Sequence, residues 1–122
     1  MKAEEYKEKI VADMKAIETY KPEFDKTIEA LAKIYVDMDN ARSQFEASGG
    51  NMIVAHVNKG GNKNLVKNPF YVIIENLQAN ILLYNRELGL TPKGLKQIND
   101  KTMNTKKKKS KLDSALEAAL SG

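Results

Sequence analysis

Few residues in this chain have chemistry to offer. His56 is the single histidine among 122 residues, and there is no cysteine. Disulfides, thiolate catalysis and zinc sites of the finger type are excluded. Any Ser-His-Asp arrangement would have to be built around His56. No acidic residue lies within nine positions of it, and Ser48 is the one serine within ten. A histidine so placed reads as a structural or surface residue. Asp37 and Asp39 are two apart in a helical pattern, so they point to different faces and do not form a metal pair. Gly49-Gly50 and Gly60-Gly61 lack the spaced glycines and the Lys-Ser/Thr end of a phosphate loop. The expectation is a chain that is not an enzyme and takes no cofactor or metal.

What remains is positive charge. The net charge of +4 is unevenly spread. Residues 1–48 hold 8 Lys/Arg against 11 Asp/Glu, and residues 49–122 hold 12 against 5. A basic second half points to a polyanion. The densest feature is the run Lys106, Lys107, Lys108, Lys109 with Lys111 close behind. Lysine neutralises phosphate as a point charge and reads no base sequence. If about five phosphates are neutralised, log K falls against log salt with a slope near −4.5. The plain alternative is a solubilising tail. Lys93, Lys96 and Lys101 add charge just upstream.

The elements that must carry these groups are mostly helical. A first helix is predicted over 2–19, with Tyr6, Ile10, Met14 and Ile17 on one face. Lys21-Pro22 interrupts it, because the residue before proline avoids helical geometry. A second helix is predicted over 22–47, about 39 Å long. Phe24, Ile28, Leu31, Tyr35, Met38, Arg42 and Phe45 repeat at spacings of 4 and 3, an apolar seam with one arginine in it. The two form a helical hairpin. A seam this long is either core beneath the second half of the chain or an interface between subunits. Phe24, Ile28, Leu31, Tyr35, Met38 and Phe45 are therefore candidate association residues. Ser48-Gly49-Gly50 ends the helix.

Residues 51–67 change character. Met52, Ile53, Val54 and Val57 favour strands, and Gly60-Gly61-Asn62 reads as a turn. A short β-hairpin or a loop insertion fits, with its second arm near Leu65-Val66 and Lys59, Lys63 and Lys67 around its tip. Asn68-Pro69 then caps and opens a third helix. Phe70, Ile73, Leu77, Ile81, Tyr84 and Leu88 mark its inner face, widened by Ile74 and Leu82. Gly89 stops it. Thr91-Pro92 repeats the device and opens a fourth helix to about Asp100. The turn between these helices admits a helix-turn-helix reading, in which Lys93, Lys96, Gln97 and Asn99 enter a major groove.

No apolar run exceeds the five residues Phe70–Ile74, so no membrane span is expected. The start of the chain has no apolar signal region. Residues 1–100 are read as one helical core and oligomerisation domain. Residues 101–122 are read as a basic tether ending in a short helix. Six lysines at that density repel one another, so the tether is predicted to be unstructured. Leu112, Ala115, Leu116, Ala119 and Leu120 form a stripe too short to be stable alone in water. It either docks weakly on its own domain or folds on a partner through Leu112, Leu116 and Leu120.

Asn68-Pro69 at a helix start, and Leu88-Gly-Leu-Thr-Pro92 one helix later, follow a helical hairpin and a glycine-bearing linker. This layout resembles the small terminase subunits of tailed bacteriophages, over about residues 5–100. The family often continues with Ser-Ser-Arg where this chain has Lys93-Gly94-Leu95. The resemblance implies a non-enzymatic packaging component acting in the host cell cytoplasm. It implies a homo-oligomeric ring that binds double-stranded viral DNA and recruits or regulates the large terminase subunit, which holds the ATPase and nuclease. Two other readings stand beside it, a dimeric helix-turn-helix DNA-binding regulator and a helical interaction protein with no nucleic-acid role.

Overall fold

The computed structural model describes residues 1–101. The order of elements is α1 (Ala3–Ala16), a 3-10 turn (Pro22–Phe24), α2 (Asp25–Ala47), β1 (Ile53–Val57), β2 (Lys63–Lys67) and α3 (Pro69–Glu87). A further helix, α4, is described from residue 92 to residue 101. The mainly helical architecture with a small β-hairpin insertion is as the sequence implies. The lysines beyond 101 and the Leu112–Leu120 stripe lie outside the described residues.

α1, α2 and α3 each end where the backbone turns left-handed, by one device. At α1, Thr19 N–H donates to the Met14 carbonyl (2.9 Å) and Glu18 N–H to Lys15 (3.1 Å). At α2, Gly50 donates to Phe45 and Gly49 to Glu46, both at 3.0 Å. At α3, Leu90 donates to Asn85 (2.8 Å) and Gly89 to Arg86 (3.1 Å). Each pair satisfies the last orphan carbonyls of its helix. The left-handed residue is Gly49 (φ 110°), Gly89 (φ 74°) and, at α1, Glu18 (φ 60°). The first helix therefore ends at Ala16 and not at residue 19. Nothing in the type of Glu18 announces a stop, since the position favours glycine. Lys21 is extended before Pro22, as its place before proline requires.

α2 is the central helix, with α1 and α3 both packed on it. One core cluster joins Ile10, Met14, Ile28, Leu31, Ala32 and Leu88, ringed by Tyr6, Phe24, Tyr35 and Ile81. A second joins Met38, Ala41 and Ile74, ringed by Phe45, Leu77 and Ile81. The seam of α2 is thus closed by the chain's own helices. Ile28 and Leu31 are wholly buried and Met38 nearly so. Phe24 and Tyr35 pack on the first cluster, and Phe45 lies 5.7 Å from the ring of Tyr71. Of the six candidate association residues, Ile28 and Leu31 have no surface left to offer a second chain.

α3 buries a narrower stripe than its composition suggests. Ile74 is buried, while Ile73 is 45% exposed and Leu82 53% exposed. Helical spacing alone predicts both to face inward. α3 packs chiefly on one neighbour, so only the positions facing α2 are covered. Ile73 and Leu82 flank that stripe on either side.

Asn68 joins three elements. It is buried, and its side-chain oxygen accepts from Phe70 N–H (3.0 Å), which caps α3. Its amide donates to Ser48 Oγ (3.1 Å) and to the Asn51 carbonyl (3.0 Å). Its backbone N–H reaches the Met52 carbonyl at 2.7 Å. The end of α2, the start of the hairpin and the start of α3 are held by this one residue.

Candidate nucleic-acid interface

α4 is set by its first turn. Thr91 caps it, with Gly94 N–H donating to Thr91 Oγ1 (3.0 Å) and Leu95 N–H to the Thr91 carbonyl (2.8 Å). Gly94 is buried against the end of α3, where an added Cβ would collide with the Arg86 carbonyl oxygen. Gly89 is buried beneath Ile98 and beside Thr19. The Thr19 hydroxyl lies 3.4 Å from the Met14 carbonyl and 3.5 Å from the Leu88 carbonyl, one donor between two acceptors. The ends of α1 and α3 and the start of α4 therefore meet at one corner.

That seating turns Leu95 and Ile98 inward and leaves Lys93, Lys96, Gln97 and Asn99 exposed. Lys93, Lys96 and Gln97 share one face by helical spacing. Asp100 falls on the same face and reduces its charge. Lys101 is also exposed. Three of the eight lysines predicted to contact nucleic acid thus lie on a short outward helix. Lys106, Lys107, Lys108, Lys109 and Lys111 follow beyond the described residues.

The second basic element is the β-hairpin. β1 and β2 pair antiparallel, with Ile53 opposite Lys67, Ala55 opposite Leu65 and Val57 opposite Lys63. Asn58 closes the turn, its side-chain oxygen accepting from Gly60 N–H and Asn62 N–H at 3.0 Å each. Lys59, Lys63 and Lys67 are exposed, and no acidic residue lies between 51 and 67. Lys67 pairs with Glu75 of α3 at 3.0 Å. His56 is exposed on β1 opposite Asn64. Among the described residues no group of acidic or histidine side chains is placed to hold a metal ion.

Between α1 and α2, Tyr6 donates to Asp39 (2.6 Å) and its ring stacks on Tyr35 with centroids 5.0 Å apart. The hydrogen bond to Asp39, aided by burial, pushes the Tyr6 phenol up to about 12. Tyr35 in turn accepts from the Asn85 amide at 3.1 Å. These groups tie α1, α2 and α3 together and present no free acid or base.

Compared with known families, the chain matches the phage terminase small subunit over residues 3–105. The chain belongs to that family. The match takes in α1 to α4 and the hairpin between them, which is nearly the whole of the described structure. Neither the curated proteins nor the solved structures compared with it gave a match. Among the described residues, every lysine of the second half of the chain is exposed and lies on α4 or on the hairpin. Sequence reasoning singles out those of α4, and leaves open whether the hairpin that carries Lys59, Lys63 and Lys67 meets DNA or a neighbouring subunit. Their exposure, with no acid between them, is what singles them out. Among the described residues no helix is long and apolar enough to cross a membrane.

Proposed function

We propose that this chain binds double-stranded viral DNA as a homo-oligomeric ring in the host cell cytoplasm, and recruits or regulates the large terminase subunit for genome packaging. The chain itself is a scaffold, and the ATPase and nuclease chemistry belongs to the large subunit. The observation that carries this reading is the family match over residues 3–105, joined to the exposed lysines Lys93 and Lys96 on α4. Lys93 and Lys96, with Lys101 and the downstream Lys106, Lys107, Lys108, Lys109 and Lys111, would neutralise phosphates. Each contact is weak. Repetition around a ring multiplies them without any new contact type. The described residues hold no convergent acid, base and nucleophile that would suggest catalysis instead. Leu112, Leu116 and Leu120 are proposed to meet the large subunit.

The test is a salt series. Long duplex DNA is titrated with the wild-type chain and with a variant carrying alanine at residues 106–109. Affinity should fall in the variant, and the slope of log K against log salt should flatten by about 3.6 if all four lysines touch phosphate. An unchanged slope at equal affinity would remove the lysine run from the mechanism.

A further inference from the structure

The hairpin cannot be explained by the interior of its own chain. A two-stranded sheet alone is marginal in water and needs an apolar face to pack on. Here that face is bare. Leu65 is 80% exposed, Ile53 61% and Val57 55%, and by their register all three lie on one side of the hairpin. The same side carries Lys63 and Lys67, and Lys59 sits in the turn. Lys67 is paired with Glu75, while Lys59 and Lys63 have no hydrogen bond or ion pair among the described residues. The hairpin is thus an apolar strip with unpaired cations at its free end.

Its complement is on the chain itself. A shallow hollow on the outward face of α1 is lined by Glu4, Lys7, Glu8, Val11, Ala12 and Lys15. Both cations of that hollow are engaged inside the chain. Lys7 pairs with Glu29 at 3.1 Å, and Lys15 lies over the ring of Tyr20 at 5.3 Å. Glu4 and Glu8 are exposed and make no hydrogen bond or ion pair with the described residues. The hollow therefore presents two exposed carboxylates above a floor of Val11 and Ala12.

We propose that the β-hairpin of one copy docks on the outward face of α1 of a second copy, with Lys59 and Lys63 meeting Glu4 and Glu8 and Leu65 covering Val11 and Ala12. The proposal rests on the reading of the chain as a self-assembling subunit, and adds the surface through which it assembles. Charge decides between the possible arrangements. Hairpin against hairpin would set three lysines against three, and like charges across an interface are strongly unfavourable. Duplex DNA would satisfy the lysines but leave Leu65, Ile53 and Val57 in water. Hairpin against α1 satisfies Lys59 and Lys63 and covers Leu65, the most exposed residue of the strip. Donor and acceptor are then different surfaces, so the contact is head-to-tail, and a head-to-tail contact closes into a ring when its rotation allows.

The experiment uses the full chain at micromolar concentration, with native mass spectrometry for subunit number and circular dichroism for helix content. K59E/K63E should weaken association at least about tenfold per reversed pair, and so should E4K/E8K. All four changes in one chain should restore it. Leu65→Asp should dissociate the assembly with helix content unchanged. If the wild type assembles and both charge reversals assemble equally well, the hairpin contact is overturned while the ring reading stands. If K59E/K63E assembles normally but loses affinity for duplex DNA, the hairpin belongs to DNA and the proposal is overturned. A wild type that remains a single chain would overturn the ring reading and this contact with it.

Discussion

Tyr6 of α1 donates its phenolic hydrogen to Asp39 of α2 at 2.6 Å, and so pins the first helix midway along the second. The folded phenol titrates near 12 against an ordinary value of 10.0. Folding therefore favours the protonated form. The stabilisation is fully present below about pH 10 and is lost as pH rises from about 10 to about 12. Tyr6→Phe should cost about 1 kcal/mol at neutral pH. Melting curves of the two proteins should converge as pH rises through that window. A constant difference across it would show that the hydrogen bond does not set the titration.

Asn68→Ala removes the cap of α3 and leaves the Asn51 carbonyl and Ser48 hydroxyl without their donor. A loss of about 2–3 kcal/mol is expected from urea unfolding. Asn68→Asp keeps the acceptor for Phe70 N–H but not the two donated bonds, and should fall between the two. Equal stability of all three would mean that the junction is held by packing alone.

Glu18 occupies a left-handed position that glycine takes without strain. Glu18→Gly should stabilise the protein by about 0.5–1 kcal/mol, since the relieved strain exceeds the added freedom of the unfolded chain. A lower melting temperature in the variant would show that the Glu18 side chain contributes more than its backbone costs.

Gly94→Ala should unseat α4, because the new methyl group has no room beside the Arg86 carbonyl. The expected loss is roughly 2–4 kcal/mol if the corner stays formed. If α4 detaches instead, hydrogen exchange should speed up through residues 92–101 while α1 to α3 keep their protection. Unchanged exchange and stability would contradict the close approach of the two helices.

Much of this architecture was legible because each element carries its own punctuation. Asn68-Pro69, Thr91-Pro92 and the glycines at 49 and 89 mark ends that the backbone uses. The seam from Phe24 to Phe45 announced a long helix with a buried side. Which partner would cover that side was not legible, because periodicity fixes a face and not its neighbour. α1 and α3 between them cover it. The end of α1 was misjudged because a glutamate holds the left-handed position. The inward placement of Ile73 and Leu82 failed because an apolar helix contacting one neighbour buries only a stripe. The exposure of Lys93 and Lys96 on α4 was legible from helical spacing, with Leu95 and Ile98 turned the other way. The bare face of the hairpin was not, since strand alternation cannot say whether a face is covered.

The account as a whole holds that copies of this chain assemble and together grip duplex DNA. Sedimentation of the full chain at micromolar concentration, alone and with long duplex DNA in dilute buffer, tests it most directly. A closed oligomer of many subunits that carries DNA with it, and releases it as salt is raised, is the predicted result. A dimer would favour a helix-turn-helix regulator, and a single chain that leaves the DNA behind would contradict the account.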